Sequence, residues 1–369
     1  MKLSQSKSKF YYSTLDGWRA IAILMVMICH SSDRLLGLNG LWQNSFLHQL
    51  TRKGAFGVDL FFSISGFLIT SRLIALHQET NQTNLKGFYI RRFFRILPPY
   101  FFFLFTLFIL WWLSLAQISL KELLYSALFI RNYLPTINSF AFYTGHLWSI
   151  AIEEHFYLLL PSLLFILGPQ KKRTIITLLI GCTFVAIWRF FDFRHQTFEH
   201  ILPGVSFYTR TDIRIDGLLW GCVYALLIQT STIREKAKII LSNYRWWAIL
   251  IIWIFVIIAQ PPLSLLWVPL ISPLLIIGTV LNSNSSIAKI LENRFLTYIG
   301  KISYSLYLWN SLFMIASDNT YLSYPLSLLQ GFPTQWVLTF LLADFSYRFI
   351  EKPFINWGYR LAPAPKPER

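Results

Sequence analysis

The sequence predicts an all-α polytopic membrane protein, with about ten transmembrane helices in one bundle and both termini cytoplasmic. Three observations lead there. Of 369 residues, 55% are hydrophobic and 18% aromatic, and the mean hydropathy is +0.49. The apolar residues fall in runs long enough to cross a bilayer. The Lys and Arg residues, finally, gather in alternate connections between those runs.

The runs lie near 15–36, 55–75, 97–116, 146–168, 174–191, 213–230, 246–260, 263–281, 302–317 and 333–351. Several contain Gly, Pro or polar residues, which a bundle accepts where neighbouring helices satisfy the backbone. With both termini inside, the cytoplasmic segments hold 23 Lys and Arg and the outer ones 9, counting span-end residues with the adjoining loop. That bias sets the orientation. It also accounts for the net charge of +16 without a nucleic-acid partner. Cys29, Cys182 and Cys222 lie in or beside apolar runs with no pairing or metal spacing, so no disulfide is expected. The basic N-terminus precedes a run too long and too polar for a signal peptide, which makes that run a retained first span. Residues 1–353 read as one transmembrane domain, and 354–369 as a short, disordered cytoplasmic tail rich in Pro and Ala.

Ionisable residues inside spans are costly, so they carry the functional reading. In the first span, Arg19 and His30 are offset by eleven residues, which on a helix is about three turns and roughly 16 Å on one face. The second span places Asp59, Ser63, Gly66 and Thr70 at i, i+4, i+7 and i+11. The fourth repeats a stripe with His146, Ser149, Glu153 and Tyr157, and Glu154 lies about 100° away. The ninth carries Gly300, Ser303, Tyr307 and Asn310. Hydroxyl stripes alone are polar glue between helices. A histidine, an aspartate and a pair of glutamates in three spans point beyond packing. In the predicted orientation His30, Asp59 and Glu153 lie in the outer half. Arg19 lies in the inner half, near Arg91, Arg92 and Arg95 at the cytoplasmic start of the third span. Clustered guanidiniums suit phosphates. This layout joins an anionic cytoplasmic ligand to something outside, and residue chemistry alone leaves enzyme and transporter both open.

Six segments resemble acyltransferase family 3, the membrane acyltransferases that decorate O-antigens, exopolysaccharides and nodulation factors. They are Leu15-Asp16-Gly17-Trp18-Arg19-Ala20 with His30, residues 57–70, Arg91-Arg92 with Arg95-Ile96-Leu97-Pro98, residues 146–157, residues 300–309 and residues 347–354. His155 stands where glutamine is frequent, and Asn310 where histidine often stands. Some members carry an added extracytoplasmic domain, which is not expected here.

The resemblance implies a multi-pass enzyme of the bacterial cytoplasmic (inner) membrane. It would move an acyl group, usually acetyl from acetyl-CoA, to a hydroxyl of a carbohydrate acceptor outside. Arg19, Arg91, Arg92 and Arg95 would hold the coenzyme A phosphates. His30 would act as base or as acyl carrier, oriented by Asp59 or Glu153, with Glu154 beside them. Ser63, His146 and Tyr157 would meet the substrate. No metal is implied. The implied partners are membrane lipid, acyl-CoA and a glycan. A small-molecule acceptor such as a macrolide, or a glycan flippase, are the competing readings.

Overall fold

The structure is a computed structural model that describes residues 12–35, 46–80, 85–135, 142–168, 172–261, 263–314 and 326–363. Among the described residues every regular element is helical. The chain opens with α1 (Ser13–Leu35), whose unbroken apolar stretch follows Asp16 in the first turn. A short helix α2 (Phe46–Arg52) runs through a 3₁₀ turn into α3 (Gly57–Thr80). Next come α4 (Leu85–Trp112), α5 (Leu120–Ala127) and α6 (Phe142–Gly145), then α7 (Trp148–Leu167) and α8 (Lys172–His195). Ser119 starts α5 by accepting a hydrogen bond from the backbone N–H of Lys121. The short helices α9 (Thr197–Ile201) and α10 (Thr211–Arg214) lead to α11 (Asp216–Leu227). They are followed by α12 (Ser231–Ile240), α13 (Asn243–Ala259) and α14 (Ser264–Leu281). The C-terminal part holds α15 (Ser286–Leu291), α16 (Arg294–Lys301), α17 (Ser303–Phe313), α18 (Thr334–Ser346) and α19 (Lys352–Leu361).

The bundle is built inside out with respect to a soluble protein. Along α8, Ile176, Ile180, Phe184, Ile187 and Phe191 form an exposed stripe, whereas Arg189 and Asp192 on the other side are buried. A surface of that kind is stable only against hydrocarbon, so the protein is membrane-embedded.

Among the described residues, five helical stretches are each long and apolar enough to cross a bilayer: 46–78, 85–112, 143–167, 172–195 and 264–281. A sixth arises if α12 and α13, which meet at 77°, count as one. The other four expected spans do not form long apolar helices. In α1, Asp16, Arg19 and His30 dilute the hydropathy. The run at 213–230 breaks at Ile215, between α10 and α11. The run at 302–317 yields the 11 residues of α17, with 315–317 outside the described residues, and α18 ends in a π-helical turn over 347–351. The tail also departs from expectation. Residues 352–361 are helical and held against α4, where Phe354 stacks on Phe94, Trp357 lies tilted against it and Gly358 seats beside that side chain. Residues 364–369 lie outside the described residues.

Close packing fixes the register of the centre. A Cβ on Gly66 of α3 would lie 2.0 Å from the Leu218 carbonyl oxygen of α11, and one on Gly221 would lie 2.6 Å from that of Ser63. Only glycine permits this approach. Helix α1 runs through the middle, touching α3, α14, α16 and α17.

Candidate active site

Helices α1, α3, α4, α7 and α17 surround a cavity of about 890 Å³, counted with its open mouth. Four guanidiniums line it: Arg19 from α1, Arg72 from α3, and Arg92 and Arg95 from α4. Facing them are Glu153, Glu154 and Tyr157 of α7, with Ser65, Ser149, Ser303, Tyr304 and Tyr307 between.

The charges of this wall make few direct ion pairs among the described residues. Arg19 is 3.2 Å from Asp16 at the start of its own helix. Arg92 lies 3.8 Å above the Tyr157 ring, and its buried Nε has no hydrogen-bond partner. Glu153 has both oxygens occupied, one accepting from Ser65 at 3.2 Å and the other from the Tyr157 hydroxyl. Glu154 keeps a buried Oε1 without a partner. Both glutamates therefore line the cavity, and Glu154 has the freer carboxylate.

His30 stands further along α1 than Arg19. Its Nδ1 lies 2.5 Å from Oδ1 of the fully buried Asn310 on α17. Three residues before Asn310 on the same helix, Tyr307 reaches the cavity. The Tyr307 hydroxyl donates to the His146 carbonyl at 2.7 Å and lies 2.6 Å from the Ser149 hydroxyl. His30 and Asn310 do not themselves line the cavity; Tyr307, one turn before Asn310 on α17, is the lining residue nearest to them in sequence.

Several expected residues are placed elsewhere. Asp59 does not orient His30: its two oxygens accept from Arg214 at 2.9 and 3.0 Å. Ser63 donates to the Asp59 carbonyl at 2.8 Å and faces α11, away from the cavity. The stripe Asp59, Ser63, Gly66, Thr70 is the packing face of α3. Its cavity face is Phe61, Ser65, Leu68 and Arg72, which has the same spacing two residues on. Two residues rotate a helix by about 200°, the opposite side. Arg91 points out of the cavity and donates to the Ala362 carbonyl at 2.9 Å. His146 precedes α7, its buried ring against Phe103 and Tyr307 at 5.7 and 5.3 Å.

A second charged cluster binds α3, α8, α10 and α11. Arg189 donates to Asp216 at 2.6 Å and to the Ile213 carbonyl, Arg210 to Asp192 and Asp212, and Arg214 to Asp59. Trp188 completes it with a 2.6 Å bond to Asp212. The alternation Arg210-Thr211-Asp212-Ile213-Arg214-Ile215-Asp216 is its trace in the sequence.

The family model described as an acyltransferase domain, that of acyltransferase family 3, matches residues 12–343, which include every cavity-lining residue named above. The chain belongs to acyltransferase family 3. Among its curated relatives is O-acetyltransferase OatA of Staphylococcus aureus (strain NCTC 8325 / PS 47), 30% identical over 381 residues. The proteins of the same name from strains COL and MRSA252 match equally, at 97% of this chain and 60% of the relative. The chain therefore spans about 60% of the length of these relatives. No solved structure matches it.

Proposed function

We propose that this acyltransferase-family chain is a membrane O-acyltransferase that takes an acyl group, acetyl above all, from cytoplasmic acyl-CoA and esterifies a hydroxyl of a cell-surface glycan. The observation that carries this reading is a cavity whose Arg72, Arg92 and Arg95 make no ion pair to a carboxylate among the described residues, lined in part by α17, the helix that also holds Asn310 against His30. Clustered cations at membrane depth are costly unless a ligand adds negative charge. The pyrophosphate and 3′-phosphate of coenzyme A would do so, held by Arg19, Arg72, Arg92 and Arg95 through charge-assisted bonds. The relatives named O-acetyltransferase favour acetyl transfer to oxygen.

The donor brings a thioester, and the chain's own task is to manage a proton. His30 Nε2 would take the proton of the acceptor hydroxyl as its oxygen attacks the thioester carbon, or would carry the acyl group itself. Glu154, with a free oxygen at the cavity wall, is placed to exchange a proton with the departing thiol. The ten-span topology with cytoplasmic termini in the cytoplasmic membrane belongs to this same proposal, since donor and acceptor must arrive from opposite faces. Mass spectrometry of surface polysaccharide tests the reading: cells expressing the gene should carry acetyl esters absent from cells lacking it. Equal ester content in both would refute it.

A further inference from the structure

We infer that Asn310 is the positioning residue that sets the tautomer of His30, holding the proton on Nδ1 and leaving Nε2 as the open lone pair. This inference rests on the acyltransferase reading of the site. Either nitrogen of a neutral imidazole can carry the proton, and the hydrogen bond made by one ring atom decides the chemistry of the other. An asparagine could in principle present oxygen or nitrogen to His30. Here the choice is fixed within α17. The Asn310 Nδ2 donates to the Leu306 carbonyl at 3.1 Å and to the Tyr307 carbonyl at 2.6 Å, so both of its protons are committed. Turning the amide over would set its oxygen against two carbonyl oxygens. Oδ1 must therefore face the imidazole, where it can only accept, and the atom 2.5 Å away, Nδ1, must donate. Nε2 has no hydrogen-bond partner among the described residues.

Asn310 thus takes the place that a carboxylate fills in a serine-hydrolase triad, without its charge. Among the described residues no carboxylate bonds the ring. Asp59 is bound to Arg214, and Asp16 lies beside Arg19 at the other end of α1. The remaining ionisable groups on elements against α1 near His30 are His48, Arg52 and Lys53 of the α2 hairpin, with His146 and Tyr307 across the bundle. The Tyr307 proton goes to a backbone carbonyl.

The test is the nitrogen NMR spectrum of protein labelled with ¹⁵N-histidine, with kcat and KM measured on the same samples. The chain has 7 histidines, and subtracting the His30→Ala spectrum isolates the ring. Wild type should show a protonated Nδ1 and a bare Nε2. In Asn310→Ala that pattern should be lost, and kcat should fall by about 10- to 100-fold, the range for losing an outer-shell partner, with KM for acyl-CoA unchanged. Asn310→Asp still offers an acceptor to Nδ1 but loses both donors to the α17 carbonyls, so it should keep the Nδ1 proton and recover kcat only in part. A wild-type ring protonated on Nε2, or an Asn310→Ala protein with unaltered spectrum and kcat, would overturn the inference. If His30→Ala is inactive in that second case, the functional reading stands and only the role of Asn310 falls. Full activity in His30→Ala would remove both.

Discussion

Two clusters of arginines face opposite tasks in this protein. In the network of Arg189, Arg210 and Arg214, each guanidinium meets an aspartate within 2.9 Å, and Asp59, Asp192, Asp212 and Asp216 supply one carboxylate more than there are cations. In the cavity, four guanidiniums face two glutamates, and Arg19 has the one ion pair to a carboxylate found among them in the described residues. The first cluster is closed on itself and ties α3, α8, α10 and α11 together. In the second, Arg72, Arg92 and Arg95 make no ion pair among the described residues, although Glu153, Glu154 and the buried Glu351 stand near. Arginine at membrane depth alone therefore does not mark a site; guanidiniums left without direct ion pairs do.

Breaking the closed cluster should have the largest effect on stability. Arg214→Leu strands the buried Asp59 carboxylate, and losing one partner of a buried pair costs about 3–5 kcal/mol. Thermal unfolding of the purified protein in detergent should show a large fall in Tm, most of it recovered in the Asp59→Leu/Arg214→Leu double variant. An unchanged Tm in the single variant would mean that the network does not hold the helices.

The open cluster should respond in the opposite way. Arg95→Gln or Arg72→Gln removes a cation that makes no ion pair among the described residues, so Tm should hold. KM for acyl-CoA should rise by about 10- to 100-fold, as expected for losing a charge-assisted hydrogen bond. Arg91→Gln is the smallest change and sharpens the comparison, because that side chain leaves the cavity for the Ala362 carbonyl. Its KM should stay near wild type; a rise matching that of Arg95→Gln would place Arg91 in the donor site after all.

Much of this was legible in the sequence. Composition and charge distribution give a helical membrane protein, and one helix of known pitch puts Arg19 and His30 on a common face. Ser149, Glu153 and Tyr157 keep their stripe because α7 offers a single face to the cavity. Helix α3 misled for a physical reason. It is buried almost all round, so its sequence carries no amphipathic asymmetry to tell cavity from packing face. Two stripes of the same spacing run along it, and the more polar one faces α11. Its end residue Arg72 reads as one more positive charge at a span boundary until the fold brings it beside Arg92 and Arg95. The partners that matter most are also remote in sequence: Arg214 is 155 residues from Asp59, and Asn310 is 280 from His30. Periodicity within a single helix holds no trace of such pairings.

The most direct test of the open cavity and its histidine is ester formation by purified protein in detergent, given isotope-labelled acetyl-CoA and a soluble glycan, with no membrane gradient. Wild-type protein should transfer label to the glycan, and His30→Ala should transfer none. Ester formed by His30→Ala at the wild-type rate would contradict the assignment of the transfer to this imidazole.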